Sequence, residues 1–183
     1  MAKNIKLIIG STRQGRAAEE VANWFIAQGK DAGYNLDVID LRDVNLPMFD
    51  AAVSPAYAPV DTPEAKAWAK IIDDADGLVF LTAEYNRSIP ASLKSAIDYL
   101  FKEWENKPSA IVSYGYIDGG QSATSHLKDI LEWVKASLVE PNVVVQFTQE
   151  TFDRSTGKFF DADASLGEYK EDFLKALEEI EKA

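Results

Sequence analysis

Seven consecutive residues hold the densest chemistry in the chain: Gly10-Ser11-Thr12-Arg13-Gln14-Gly15-Arg16. They follow an apolar run, Ile5-Lys6-Leu7-Ile8-Ile9, and precede a stretch of helical periodicity from Ala17 to Ala27. A turn between a strand and a helix exposes backbone N–H groups at the positive end of the helix dipole. That makes an anion site, most often one for phosphate. Ser11 and Thr12 can donate hydrogen bonds there. Arg13 and Arg16 can each give charge-assisted bonds to a dianion. The chain carries 30 acidic and 19 basic residues, so two arginines at a helix start call for an anionic partner. The competing reading is a solvated turn whose arginines pair with the acidic surface.

Spacing narrows the ligand. The G-x-G-x-x-G fingerprint of dinucleotide folds is missing. A P-loop is closer: Gly10, four residues, then Gly15. However, Arg16 stands where lysine belongs, and Ala17 where the Mg²⁺-binding hydroxyl belongs. This argues against a nucleoside triphosphatase and leaves a cradle for a single phosphate that needs no metal.

Two other loops are chemically unusual. Ala83-Glu84-Tyr85-Asn86-Arg87-Ser88-Ile89-Pro90 is polar and aromatic although it ends a buried strand. A tyrosine beside an asparagine amide can border a flat heteroaromatic ring and hydrogen-bond its edge. Ser88 and Pro90 also read as the cap and first turn of a helix. The third loop is Ser113-Tyr114-Gly115-Tyr116-Ile117-Asp118-Gly119-Gly120-Gln121. Its glycines permit positive φ and close approach of backbone to a ligand, and its tyrosines offer stacking surface.

The elements that position these loops alternate. Strands are expected at 5–9, 36–41, 78–82, 110–113 and 143–147. Helices are expected at about 17–30, 63–75, from Ser88 past Trp104 to the Lys107-Pro108 break, at 121–138 and at 166–181. Residues 45–63 read as a long loop, and 151–160 as a small hairpin turning at Ser155-Thr156-Gly157. Strands alternating with helices imply a mainly parallel α/β sandwich with right-handed crossovers, either flavodoxin-like or Rossmann. In both, ligands bind at the carboxyl ends of the strands. The three unusual loops follow strands one, three and four. One domain over 1–183 is expected.

Composition excludes other classes. A net charge of −11 argues against nucleic-acid partners and anionic membranes. Without cysteine there is no disulfide framework and no zinc–thiolate site. No apolar run approaches a membrane span or a signal-peptide core, so a cytoplasmic location is expected. His126, the only histidine, sits in an expected helix with no nucleophile motif around it. Asp73, Asp74 and Asp76 read as a solvated face. Trp24, Trp68, Trp104 and Trp133 read as core or subunit interface.

Together the three loops resemble the NADPH-dependent FMN reductase family, a flavodoxin-like group that includes chromate, quinone and azo-dye reductases. Gly10 to Arg16 is similar to its FMN-phosphate loop. Glu84-Tyr85-Asn86-Arg87-Ser88-Ile89-Pro90 with Leu93-Lys94-Ser95-Ala96-Ile97-Asp98 is similar to its flavin-ring signature and the following helix. Ser113, Gly115, Gly119 and Gly120 resemble its third flavin loop, and Leu46-Pro47-Met48-Phe49-Asp50 its stretch after strand two. Ala83 stands where the family usually has proline, and 51–61 and the tail after Phe147 match no family pattern.

The resemblance implies a three-layer sandwich whose five-stranded parallel sheet has the order 2-1-3-4-5. It implies FMN phosphate on Ser11, Arg13 and Arg16, with Thr12, Gln14 and Gly15 in the same loop. The ring would lie between Glu84, Tyr85, Asn86 and Arg87 on one side and Ser113, Tyr114, Gly115, Tyr116, Gly119 and Gly120 on the other. The expected activity is ping-pong hydride transfer from NADPH, with NADH as the alternative reductant. The electrons would pass through FMN to a quinone, azo compound, metal oxyanion or free flavin. No catalytic acid, base or metal is expected, and the assembly would be a homodimer or homotetramer. Two rivals stand beside this: a flavodoxin-like electron carrier without NADPH oxidation, and a nucleotide-binding module without flavin.

Overall fold

Three strands made almost wholly of apolar residues form the centre of the sheet: β1 (Ile5–Ile9), β3 (Gly77–Ala83) and β4 (Pro108–Gly115). The computed structural model, which describes residues 3–183, buries every residue of β1 and β3. Continuous apolar runs of this kind suit a parallel sheet covered on both faces. With β2 (Leu36–Asp40), β5 (Ser137–Leu138) and β6 (Val143–Gln146) they form an all-parallel sheet in the order β2-β1-β3-β4-β5, with β6 also on β4.

Side-chain alternation divides the core into two layers. Leu7, Val79 and Val112 pack with Phe25 of α1 (Ala18–Asp31) and Phe173 of α7 (Lys170–Lys182), whose rings lie 4.6 Å apart. Ile8, Phe80 and Ile111 pack on the other face against α3 (Pro63–Asp73), α4 (Ala91–Asp98) and α5 (Gln121–Trp133). Trp68 and Trp104 are fully buried there and donate to the carbonyls of Ala96 and Ile97. Trp24 is buried in the first layer, whereas Trp133 is 79% exposed.

The flavodoxin-like strand order and the alternation match the expectation; several boundaries do not. The edge position is filled by two short strands in succession, β5 against Pro108 and Ser109 and β6 against residues 112–115. Pro141 lies between them and has no N–H to give a ladder bond. A short helix, α2 (Leu41–Val44), follows β2 because the Asp40 side chain caps it at Arg42 N. The helix expected from Ser88 starts at Ala91, with Pro90 in the cap position, and closes at Asp98; Trp104 sits in a separate 3₁₀ turn. α5 stops at Trp133, shortly before Lys135 takes a positive φ of 63°. The C-terminal helix is divided into α6 (Ala162–Leu166) and α7 by a 3₁₀ turn at Gly167–Tyr169. Thr62 caps α3 as expected, its hydroxyl accepting from Ala65 N at 3.2 Å. The expected hairpin forms from β7 (Phe152–Asp153) and β8 (Lys158–Phe159).

Candidate functional site

The carboxyl ends of β1, β3 and β4 open into one cleft of about 490 Å³. Ser11, Arg13 and Gly15 line it from the first loop, Glu84 to Arg87 from the second, and Tyr114 to Ile117 from the third. A further wall comes from Phe147 and the β7–β8 hairpin, through Phe152, Arg154 and Gly157. Sequence reasoning found the hairpin but gave it no role.

The first loop is pinned at its base. Gly10 N donates to Leu81 O at 2.9 Å, and Ser92 Oγ donates to Gly10 O at 2.7 Å. A Cβ at Gly10 would stand 2.9 Å from Leu93 Cδ2 and 3.3 Å from Leu81 O, so a larger residue here would push the Leu93 side chain of α4 aside. Beyond it, the N–H groups of Arg13, Gln14 and Gly15 find no protein acceptor among the described residues. α1 then begins at Ala18 with no side-chain cap. Unused donors at the start of a 14-residue helix form an anion-attracting surface. Arg13 is exposed, pairs with no carboxylate among the described residues, and lies over the Tyr85 ring at 5.6 Å.

Arg16 has a different place from the one expected. Its side chain is only 2% exposed and reaches the cleft wall, but its donors are occupied. Nη1 and Nη2 grip the Asp40 carboxylate, Nε donates to Glu19 Oε1 at 2.9 Å, and Nη1 also donates to the Ser11 carbonyl. Burial disfavours the Asp40 carboxylate, but its bonds from Arg16 and the Arg42 N–H more than offset this and hold it below the ordinary range. Burial opposes the charged form of Arg16, but Asp40 and Glu19 outweigh it and raise Arg16 above its usual value. Thr12 borders a separate groove beside Asn45, Leu46 and Pro47, and Gln14 is exposed outside the cleft.

The second loop is a tight turn. Tyr85 N donates to Ser88 O at 2.8 Å, Ser88 N returns the bond to Tyr85 O at 3.0 Å, and Asn86 and Arg87 take φ of 50° and 67°. These are the dihedral signs of a type I′ turn. Ser88 therefore closes a turn instead of capping a helix; its hydroxyl lies 3.0 Å from His126 Nδ1. The Tyr85 hydroxyl meets Ser11 Oγ at 2.5 Å and joins this loop to the first. Glu84, with its side chain 10% exposed, is pushed up by burial and by the neighbouring Asp118. Arg87 Nη1 sits 2.6 Å from Asp118 Oδ2 and 3.8 Å from Glu84 Oε1. Burial opposes the charged form of Asp118, but the Glu84 carboxyl and Arg87 outweigh it and hold Asp118 down.

The third loop supplies aromatic surface and an orphan donor. Tyr114 stacks on Phe147 at 5.4 Å, and Phe147 on Phe152 at 4.6 Å. The Tyr114 hydroxyl is buried without a hydrogen-bond partner, and burial pushes its pKa well up. Ser113, Gly119 and Gly120 do not line the cleft. Ser113 is fully buried, donates to Gly119 O at 3.1 Å and accepts from Thr124 Oγ1 at 2.8 Å. Gly120 has φ 88°, and a Cβ there would stand 3.1 Å from Ser113. These three residues hold the loop from behind.

The family model described as NADPH-dependent FMN reductase matches residues 4–150. The chain belongs to this family. An NAD(P)H-dependent FMN reductase from Nectria sp is 34% identical over 200 residues, covering 100% of this chain and 96% of the relative. A 2-hydroxy-1,4-benzoquinone reductase from Burkholderia sp is 30% identical, with 84% of each chain covered. In solved structures, the flavoenzyme NAD(P)H:(acceptor) oxidoreductase FerB from Paracoccus denitrificans has the same fold. Its TM-score is 0.78 at 21% identity, with 99% of this chain and 98% of that one covered. This FMN reductase family member is therefore an oxidoreductase that uses FMN with NAD(P)H as reductant. The cleft fits that cofactor: free amides and an unpaired arginine lie at the start of α1, an aromatic wall lies beside them, and Tyr114 keeps a buried hydroxyl with no protein partner.

Proposed function

We propose that the cleft seats FMN with its phosphate at the first loop and its ring between the second and third, and that the reductase passes electrons from NAD(P)H to a quinone-class acceptor. The observation that carries this reading is the convergence of all three loops on one cavity, with Arg13 unpaired at the start of α1. When bound, FMN supplies two-electron transfer between a nicotinamide and a small oxidised acceptor.

The chain's own residues hold and orient. Ser11, Arg13, Gly15 and the amides around them would bind the phosphate. Arg16 would keep the loop in shape through Asp40. The backbone N–H groups of Asn86 and Arg87, which find no protein acceptor among the described residues, would serve the ring edge. Tyr116, Ile117, Phe147 and Phe152 give the mouth an apolar lining suited to a planar acceptor, and among the relatives quinone reductases occur where azo and metal-oxyanion reductases do not. A homodimer or homotetramer belongs to the same reading, with Trp133, 79% exposed on α5, as a residue such an interface would cover. A cytoplasmic setting belongs to the same reading; no helix among the described residues is long and apolar enough to cross a membrane.

Steady oxidation of NADPH by FMN-loaded protein with a benzoquinone acceptor tests this. Turnover with quinone is expected. Flavin binding without turnover at any acceptor would favour an electron carrier instead.

A further inference from the structure

We infer that Arg154, from the β7–β8 hairpin, is the second cation of the phosphate seat and clamps a phosphomonoester opposite Arg13. This rests on the placement of the FMN phosphate proposed above. A phosphomonoester carries close to two negative charges at neutral pH. The first loop offers only one free arginine for it, because Arg16 is occupied by Asp40, Glu19 and the Ser11 carbonyl.

Four observations single out Arg154. It lines the same cleft as Arg13 and Ser11. Its guanidinium carbon lies 3.7 Å from the centre of the Tyr116 ring, a cation–π contact, and its N–H groups find no acceptor among the described residues. It pairs with no carboxylate among the described residues. Its neighbour Asp153 is taken up by the turn: Oδ1 accepts from Ser155 N and Oγ at 2.8 and 2.7 Å, and Oδ2 accepts from Thr156 Oγ1 at 2.9 Å. Finally, the hairpin abuts the first loop, since a Cβ on Gly157 would stand 4.0 Å from Gly15 O. Phe152 and Phe159 anchor the hairpin on Phe147 at 4.6 and 5.2 Å. The hairpin lies beyond residues 4–150, so the family match does not supply this residue.

The experiment is titration of the apoprotein with FMN and with riboflavin, followed by flavin fluorescence, in wild type, Arg154→Ala, Arg154→Lys and Arg13→Ala. Arg154→Ala is expected to raise the Kd for FMN about tenfold to a hundredfold, the loss of one charge-assisted bond, with riboflavin unchanged. Arg154→Lys should fall between, because it keeps the charge but not the planar fork. Unchanged FMN affinity in Arg154→Ala overturns the inference while Arg13→Ala still reports on the phosphate seat. Equal weakening of FMN and riboflavin also overturns it, since the hairpin would then act on the ring. A raised KM for NADPH, with FMN affinity and the KM for NADH unchanged, overturns it in favour of the reductant's 2′-phosphate. A wild-type protein that binds riboflavin as well as FMN removes the underlying phosphate placement itself.

Discussion

Arg16 and Asp40 form a two-pronged ion pair between the end of the first loop and the end of β2, with Nη1 2.9 Å from Oδ1 and Nη2 on Oδ2. The pair is well shielded, at 2% and 17% side-chain exposure. Two arginines that look equivalent in sequence thus divide their work: Arg16 shapes the loop from within, and Arg13 faces the cleft.

Breaking the pair from the carboxylate side should therefore destabilise the fold. Asp40→Ala is expected to cost about 3 kcal/mol, the lower end for a broken buried pair, because Glu19 still faces the guanidinium. Asp40 has a depressed pKa, so its contribution is present above the ordinary aspartate range and is lost as pH falls through the lowered value. Urea denaturation across acidic pH checks both points. Equal stability of wild type and variant at neutral pH would remove the bracing role.

Arg13→Ala and Arg16→Ala should separate cleanly. Arg13→Ala should leave stability unchanged and weaken FMN by about 1.5–3 kcal/mol while sparing riboflavin. Arg16→Ala should lower thermal stability and weaken both flavins, because the loop itself relaxes. Paired thermal melts and flavin titrations read the difference.

This division was only half legible in the sequence. The strand–loop–helix pattern located the first loop, and the polar runs after Leu81 and Val112 located the other two, because a buried strand has no other reason to end so. The partner of Arg16 was hidden, since Asp40 lies 24 residues away and meets it only once β1 and β2 pair in register. Ser88 was misleading for a similar reason. Its local context reads as a cap, but the positive φ values at Asn86 and Arg87 close a turn first. The fourth wall could not be placed, because nothing local tells where a hairpin after the last strand will dock.

Tyr114→Phe removes a buried hydroxyl that has no protein partner. The variant should be as stable as wild type or up to about 1 kcal/mol more stable without flavin, since an unsatisfied buried group is lost. FMN should bind more weakly, because Tyr114 lines the cleft and its free hydroxyl would donate to the bound cofactor. Thermal melts with and without FMN report both effects. A loss of stability without flavin would show that the hydroxyl is already satisfied.

Glu84 gives a pH signature of opposite sign. Burial, and then the nearby Asp118, raise its pKa, so folding favours its protonated form. The associated stabilisation is present below the ordinary glutamate range and fades as pH rises through the raised value. Glu84→Gln keeps a neutral, hydrogen-bonding side chain and should flatten this dependence. Stability curves for variant and wild type that stay parallel from acidic to neutral pH would contradict the assignment.

The most direct test of the central claim is anaerobic absorbance spectroscopy of the FMN-loaded protein, mixed first with NADPH and then with a benzoquinone. The flavin's visible band should bleach with NADPH and return in full with the quinone. A flavin band that NADPH and NADH both leave unchanged would contradict it.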